Sequence, residues 1–189
     1  MQPVWPYGQS LLPQFKSYRL GATLAYNLCK EGTRSKGRER LHAVVSGLTA
    51  GSTVMLVFGE IDCRIHLSRR CLQEGRDISG EVNVCADRYC GVVREVAQAG
   101  LRTLVWGVVP STPIDGKDGA IGSCTERNEI TRALNEAIKR RMPLSAQYVS
   151  IFDQLLNKDG TTNPEYFVDD LHLSQRAMPL ALNALKDFL

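Results

Sequence analysis

The sequence has few of the patterns that mark metal, nucleotide or membrane proteins. It contains three histidines and six cysteines in 189 residues, but no C-x-x-C pair and no histidines at zinc-finger spacing, which argues against a structural zinc site. It has no G-x-x-x-x-G-K-[ST] or G-x-G-x-x-G loop, so a nucleotide-binding loop has no support. The longest apolar run, Val54 to Phe58, is far too short to cross a bilayer. These patterns imply no metal and no organic cofactor.

A concentrated basic surface is also missing. The formal net charge is only +3, and the lysines and arginines are scattered along the chain. The densest basic segments, Arg34 to Arg40 and Lys139 to Arg141, lie in helix-like or linker-like contexts. A nucleic-acid-binding face usually has a denser basic stripe with aromatic residues between the charges. The sequence therefore predicts neither a nucleic-acid partner nor a membrane partner.

The composition is that of a globular protein in a reducing compartment. Hydrophobic residues make up 43% of the chain, enough for one good core without disulfide bonds. Residues 1 to 15 contain three prolines and no apolar segment typical of a signal peptide. We therefore expect a soluble cytoplasmic protein with small, buried, unpaired cysteines. The cysteines are Cys29, Cys63, Cys71, Cys85, Cys90 and Cys124.

Strand-like and helical segments alternate along the chain. This alternation predicts right-handed crossovers and a mostly parallel sheet, that is, an α/β fold of three-layer α/β/α, flavodoxin-like form. We expect one such domain over residues 15–189, preceded by an extended N-terminal arm over residues 1–14. The predicted strands are Phe15 to Leu20, Thr53 to Phe58, Arg102 to Val109 and Gln147 to Phe152, and the predicted helices are Ala22 to Lys30, Arg38 to Leu48, Glu81 to Gln98, Glu126 to Arg141 and Ser174 to Leu189.

Unusual polar residues follow three of the predicted strands. Active groups of parallel α/β sheets lie in loops beyond the carboxyl ends of the strands. Here these loops are Gly59 to Arg64, Val109 to Pro113 and Val168 to Ser174. Because carboxyl ends of parallel strands share one edge of a sheet, we expect the three loops to converge there.

The last of these loops contains the best candidate for acid–base chemistry. His172 has a side chain that can shuttle a proton near neutral pH, and Asp169, three residues earlier, can hold the imidazole in one tautomer. The simpler interpretation is an acidic loop with a surface histidine. The position directly ahead of the terminal helix favours a catalytic pair.

Together, Gly59-Glu60-Ile61-Asp62 after a buried strand and Asp169-x-x-His172 before the final helix resemble the SGNH (GDSL-type) hydrolases. That family contains esterases and lipases of three-layer α/β/α form that use a Ser-His-Asp triad. The resemblance covers roughly residues 15 to 189. It implies that His172 is the general base, that Asp169 orients it, and that Gly59 borders the oxyanion hole.

The first loop departs from the common family pattern. Where the family usually has G-x-N-D, with an Asn that donates to the oxyanion, this chain has Ile61, which has no side-chain donor. Glu60 and Asp62 match the G-E-x-D variant of some carbohydrate esterases, and Arg64 is a candidate source of compensating positive charge. An equally strong alternative is that Glu60 and Asp62 only fix the loop through buried hydrogen bonds.

The nucleophile is the larger departure. The family has a Gly-Asp-Ser motif after its first strand, and the nearest match here is Gly8-Gln9-Ser10. Pro3 and Pro6 argue against a central strand just before it, since each removes a backbone donor. Ser10 is thus a weak candidate, and the alternative is a polar residue in an extended arm. Four alternatives then remain. The middle of the sheet is filled poorly by residues 1–8, is filled by another chain in a homo-oligomer, or depends on a segment upstream of Met1. In the fourth, the chain is a relative that no longer hydrolyses anything.

Two further features are candidates for the same site. His66 follows the first loop and is a candidate cleft residue, against the simpler interpretation of a helix start. Gly116 to Gly122 is a candidate lid, and the simpler interpretation is an ordinary connecting loop.

The function that fits the sequence best is hydrolysis or acyl transfer on a small acyl ester, with an O-acetylated carbohydrate suggested by the G-E-x-D likeness alone. The alternative is a non-catalytic or truncated domain that binds glycan or protein. A phosphate- or nucleotide-binding domain is a weaker third interpretation.

Overall fold

The computed structural model describes residues 15–189. Its centre is a parallel three-stranded sheet with the strands in spatial order β1-β2-β3. The strands are β1 (Thr53–Val57), β2 (Arg102–Trp106) and β3 (Ala146–Val149). The main helices are α1 (Gly37–Ser46), α2 (Ile78–Gln98), α3 (Cys124–Arg141) and α4 (Met178–Leu185). The predicted α/β class with a parallel sheet is confirmed.

Helices cover both faces of the sheet, which gives three layers. One core cluster joins α1, α2 and α3 to one face, with Val105 of β2 pointing into it. A second cluster joins α4 to the other face, where Leu104 and Trp106 of β2 lie. Because successive strand side chains point to opposite faces, β2 contributes to both cores, and its apolar residues Leu104, Val105 and Trp106 are all buried.

The two long helices begin at residues that cap them. The side chain of Asp77 accepts a hydrogen bond of 2.6 Å from the backbone N–H of Gly80 at the start of α2. At the start of α3, Ser123 and Glu126 form a capping box in which each side chain accepts from the other's backbone N–H. The basic residues at the end of α3 face the negative end of its dipole.

Two predicted elements near residue 20 are wrong. Phe15 to Leu20 is not a strand, and the carbonyl of Leu20 at its end accepts hydrogen bonds from the Thr23 and Arg40 side chains. The helix predicted over Ala22 to Lys30 is reduced to a short 3-10 turn, Ala25–Asn27. The predicted terminal helix is α4 flanked by two 3-10 turns, Gln175–Ala177 and Lys186–Phe188.

Residues 15–189 include four α-helices and several shorter helical turns. None of them combines the length and the apolar character needed to cross a membrane.

Candidate functional site

The three predicted loops meet at the carboxyl edge of the sheet, as expected. Together they line a small cleft with residues from the turn after β1, the segment after β2 and the loop ahead of α4. Its enclosed volume is about 10 Å³, close to the space that one water molecule needs. The lining residues are Glu60, Cys63, Arg64, Val108, Val109, Pro110, Ser111, Thr131, Phe167, Asp170 and Leu171.

Gly59, two residues after the end of β1, has a backbone conformation that other residues avoid. Its φ is +109°, and a Cβ at this position would lie 2.5 Å from Cγ2 of Val108. The backbone carbonyl of Gly59 accepts a hydrogen bond from the N–H of Cys63, which starts the turn that follows. A glycine is therefore required here for β1 and the segment after β2 to approach each other at the cleft.

Asp169 and His172 form a hydrogen-bonded pair beside the cleft. Nδ1 of His172 lies 2.8 Å from Oδ2 of Asp169. The other carboxylate oxygen of Asp169 accepts from the backbone N–H groups of Leu171 and His172, each at 2.7 Å. The carboxylate thus holds both the backbone turn and the ring. Both side chains are exposed, and the pair lies next to Asp170 and Leu171, which line the cleft.

The surroundings of Asp169 keep it ionised. Partial burial raises the pKa of Asp169, but the hydrogen bonds from the His172 ring and from the backbone of Leu171 and His172 outweigh burial. The pKa of Asp169 is therefore lowered overall. A carboxylate that stays charged can accept the Nδ1–H of a neutral imidazole and leave Nε2 as a base. Within residues 15–189, the hydrogen bonds of the His172 side chain involve Nδ1 alone.

Glu60 and Arg64 lie one helical turn apart and are paired to each other. Nε of Arg64 donates to Oε1 of Glu60, and Nη1 donates to the backbone carbonyl of Asp118. Arg64 is largely buried, whereas the Glu60 side chain is 37% exposed. The charge of Arg64 is therefore largely compensated by Glu60. Both residues line the cleft, and Arg64 also ties the segment around Asp118 to the turn after β1.

Asp62 points away from the cleft and into the protein. It is fully buried, and its two oxygens accept from the backbone N–H groups of Ala25 and Tyr26 at 2.7 and 3.0 Å. Burial raises the pKa of Asp62 to about 6, while the hydrogen bonds from Tyr26 and Ala25 act in the opposite direction. These contacts are the ones expected if Asp62 only fixes the loop through buried hydrogen bonds. Asp62 connects the 3-10 turn at residues 25–27 to the turn after β1.

His66 is also turned away from the cleft. Its ring packs edge-on against the ring of Tyr26, with 4.6 Å between centroids. Burial lowers the pKa of His66.

The segment Gly116 to Gly122, the candidate lid, is bonded to the turn after β1, since the N–H of Ile121 donates to the carbonyl of Arg64. The remaining predicted site residue, Ser10, lies outside the described residues.

The sequence interpretation missed a polar network that holds the loop after β2. Arg127 of α3 is completely buried, and its guanidinium donates to the hydroxyl of Ser111 at 2.8 Å and to the carbonyl of Thr112 at 2.9 Å. It also donates to the Gly122 carbonyl and to Asp115. One side chain therefore fixes both ends of the loop at residues 111–122.

Two asparagines of α3 complete this network. The side-chain amide of Asn135 both accepts from the N–H of Val108 and donates to its carbonyl, each at 2.8 Å. Asn128 accepts from the N–H of Ser111 at 2.7 Å. The signal for these residues was in the sequence: Arg127, Thr131 and Asn135 recur every four residues on the face that α3 buries. Polar residues at core positions indicate buried hydrogen bonds.

Metal-ligating side chains are not grouped in the described part of the chain. Among residues 15–189, no three His, Cys, Asp or Glu side chains lie close enough together to hold a metal ion.

Comparison with known proteins gives a fold likeness. No protein-family model matches the chain, and no curated protein matches it either. Among solved structures, it is similar to a protein from Streptococcus pneumonia described provisionally as a platelet activating factor. The TM-score is 0.57 at 19% sequence identity, over 88% of this chain and 68% of that protein. At this identity the likeness concerns the fold.

Proposed function

We propose that the chain is a hydrolase of the SGNH (GDSL) type that cleaves a small acyl ester. The observation that carries the proposal is the 2.8 Å contact between Nδ1 of His172 and Oδ2 of Asp169, beside a cleft where three loops meet. A buried sheet holds these loops, so the pair is presented by a rigid scaffold. The fold likeness to the Streptococcus pneumonia protein supports that scaffold.

The proposed reaction begins with a serine hydroxyl. Its oxygen attacks the acyl carbonyl of the ester, and Nε2 of His172 takes the hydroxyl proton. Asp169 holds Nδ1–H and stabilises the imidazolium that results. The imidazolium then gives the proton to the leaving alcohol, and the acyl group stays on the serine. Water attacks this acyl-serine while Nε2 takes a proton from the water, and the proton passes to the serine oxygen as the acid leaves. Backbone N–H groups near Gly59 are the proposed donors to the oxyanion, since Ile61 has no side-chain donor.

Ser10 is the proposed nucleophile. It lies outside the described residues, and its candidacy comes from the Gly8-Gln9-Ser10 likeness to the family motif. Within residues 15–189, no serine forms a hydrogen bond with His172. Ser111 lines the cleft, but its hydroxyl oxygen accepts from Arg127 and its proton points to the carbonyl of Thr112. The Ser111 hydroxyl thus both donates and accepts a hydrogen bond that holds the loop, and for this reason Ser111 is not the proposed nucleophile.

The cleft favours a small acyl group on a polar alcohol. Its volume of about 10 Å³ leaves room for little more than an acetyl methyl, so the alcohol part of the ester lies over the open edge. Glu60 and Asp170 line the cleft, and carboxylate side chains can accept hydrogen bonds from sugar hydroxyls. An O-acetylated carbohydrate is therefore the proposed substrate class, and the same groups would serve a domain that binds glycan without cleaving it.

Hydrolysis of p-nitrophenyl acetate by the full chain tests the proposal. His172→Ala removes the proposed base, and we expect a loss of at least about 10²-fold in kcat. His42→Ala is the matched control, because His42 lies on the surface of α1, and its activity should equal that of the unchanged chain. A full chain that folds but hydrolyses nothing, and that binds acetylated oligosaccharide in a titration, would support the binding alternative instead.

A further inference from the structure

Residues 16–40 carry a concentrated positive charge. This basic segment contains seven lysines and arginines but only two acidic residues, Glu31 and Glu39. The formal net charge of the whole chain is +3, so the segment is more positive than the chain to which it belongs. Its charges look scattered in the sequence because uncharged residues separate them, but the fold gathers them.

Most of these cations are exposed and form no ion pair in the described part of the chain. The seventh, Arg38, pairs with Glu31 and Glu95. Residues 1–14 contain no acidic side chain. The six exposed charges are therefore accessible to a ligand, and they belong to Lys16, Arg19, Lys30, Arg34, Lys36 and Arg40.

Two hydrogen bonds hold the parts of the basic segment together. Nη1 of Arg40, in the first turns of α1, donates to the carbonyl of Leu20 at 3.2 Å. The N–H of Gly32 donates to Oε1 of Glu39 at 2.7 Å. Residues 16–21 and the turn before α1 therefore both lie against the start of this helix, and the basic segment forms one continuous surface.

This basic surface adjoins the candidate cleft. Glu60 lines the cleft, and it also lines a groove whose other residues include residues 19–21. Asp62 accepts hydrogen bonds from the backbone of the 3-10 turn at residues 25–27. The basic segment is thus held beside the turn after β1, which forms one wall of the cleft. A molecule that occupies the cleft and extends past Glu60 reaches the basic surface.

We propose that the basic segment binds the acidic groups of a glycan whose acetyl ester lies in the cleft. The substrate class is then an acetylated acidic carbohydrate with carboxylate groups along the sugar chain. The position of the ester rests on the proposed function, whereas the binding of the acidic groups rests on the exposed charge. A surface of one charge raises the local concentration of an oppositely charged substrate about tenfold or more.

The composition of the basic surface favours a glycan over a nucleic acid or a lipid membrane. Tyr18, 44% exposed, is the only large hydrophobic or aromatic residue of the basic segment that is exposed. The ammonium group of Lys16 lies 5.0 Å from the centre of its ring. Single-stranded nucleic acids stack successive bases on aromatic side chains, and membrane-surface helices insert an apolar face. One tyrosine beside a lysine offers a flat face for a sugar ring and a charge for its carboxylate.

Calorimetric titration of the full chain tests this inference. The probes are two acetylated oligosaccharides of equal length, one of glucuronic acid and one of glucose, which differ in the carboxylate groups. We expect the acidic oligosaccharide to bind at least about tenfold more tightly at about 50 mM NaCl, and most of this preference to be lost at about 300 mM, because salt screens exposed charges. Binding is measured without turnover, so a chain that hydrolyses nothing still gives a result.

A triple variant locates the binding surface. Arg19→Gln, Arg34→Gln and Lys36→Gln together remove half of the exposed charges of the basic segment, and we expect most of the preference for the acidic oligosaccharide to be lost. The kcat for p-nitrophenyl acetate should not change, because this small uncharged ester does not reach the basic surface. A retained kcat also reports that the variant is folded.

A second triple variant is the matched control for net charge. It combines Arg102→Gln, Lys139→Gln and Arg140→Gln, at exposed positions at the start of β2 and the end of α3. These residues lie toward the amino edge of the sheet, away from the cleft. The control changes the net charge by the same amount, and it should retain the preference.

Three results would overturn the inference. One is equal binding of the two oligosaccharides, and another is the same loss of preference in both triple variants. The third is tighter binding of an oligodeoxythymidine or of vesicles that contain phosphatidylserine, which would assign the surface to a nucleic acid or a membrane.

The same experiments separate this inference from the hydrolase proposal. Absence of the preference in a chain that hydrolyses p-nitrophenyl acetate overturns the glycan surface and leaves the hydrolase standing. A full chain that hydrolyses nothing but binds the acidic oligosaccharide through the basic segment supports the surface and contradicts the hydrolase.

Discussion

The hydroxyl of Thr112 donates a hydrogen bond of 2.6 Å to the backbone carbonyl of Asp170, 58 residues further along the chain. It joins the loop after β2 to the loop that carries Asp169 and His172. Thr112 is in turn held by Arg127, which donates to its carbonyl. The loop that carries Asp169 and His172 is therefore connected to α3 through two hydrogen bonds.

Valine has nearly the same shape as threonine but no hydroxyl, so Thr112→Val removes the hydrogen bond to the Asp170 carbonyl. We expect Thr112→Val to lower the free energy of unfolding by about 1 kcal/mol, because the Asp170 carbonyl loses its donor. Thr112→Ser keeps the hydroxyl and should retain most of the connection. Urea unfolding measures stability, and amide exchange in residues 168–172 measures the loop. If both variants changed loop exchange equally, the hydroxyl would not be the connection.

Asp62 makes stability depend on pH in a defined direction. Its folded-state pKa of about 6 is above the ordinary aspartate value of about 3.9, so the folded protein binds this proton more tightly than the unfolded chain. The stability that protonation contributes is present below pH 4 and is lost as the pH rises through 6. We expect the difference in unfolding free energy between the unchanged chain and Asp62→Asn to fall by roughly 2–3 kcal/mol over that range.

Urea unfolding at a series of pH values from 4 to 7.5 measures this difference. His66, whose pKa burial lowers, titrates in both proteins and cancels in the comparison. Asp187→Asn, at an exposed position, is the control and should follow the unchanged chain. A difference that stays constant with pH would contradict the buried-carboxylate interpretation of Asp62.

Arg127 should be far more important for stability than an exposed arginine of the same helix. Arg127→Met leaves several buried acceptors of residues 111–122 without a donor, and we expect a loss of about 3–5 kcal/mol. Arg132, whose side chain is 54% exposed and paired with Asp153, is the matched control, and Arg132→Met should cost less than about 1 kcal/mol. Chemical denaturation measures both, and similar losses would refute the network.

Gly59 and Gly91 provide a matched pair of glycine-to-alanine changes. At Gly59 the new Cβ would meet Val108 in a left-handed conformation, and we expect Gly59→Ala to destabilise by about 1–3 kcal/mol. At Gly91, in the middle of α2, a Cβ meets nothing within 4 Å. Gly91→Ala should stabilise by up to about 1 kcal/mol through helix propensity. Thermal unfolding distinguishes the two signs.

Local patterns in the sequence predicted the sheet and the acid–base pair. Val54 to Val57 of β1 and Leu104 to Trp106 of β2 are apolar runs, and such runs indicate parallel strands without knowledge of their neighbours. Asp169 and His172 meet because three residues separate them in one turn, so their contact is also local. The convergence of the three loops followed from the parallel direction of the strands alone.

Contacts between distant segments could not be predicted in the same way. Phe15 to Leu20 was predicted as a strand, but its last carbonyl, that of Leu20, bonds to side chains of later residues. The spacing of Arg127 along α3 indicates a buried polar residue, but it does not reveal that its partners are the carbonyls of residues 112 and 122. For Glu60, Asp62 and Arg64 the residue types indicated a polar cluster, but only the structure separates the buried Asp62 from the two residues that line the cleft.

The most direct test of the proposed hydrolase is to label the full chain with a fluorophosphonate ester, which reacts with activated serines, and to map the modified residue by mass spectrometry. We expect one labelled serine, Ser10, with labelling abolished in His172→Ala and Ser10→Ala and retained in His42→Ala. Labelling that is equal in His172→Ala and His42→Ala, or no labelling of a folded chain, would contradict the assignment of His172 as the base of a working triad.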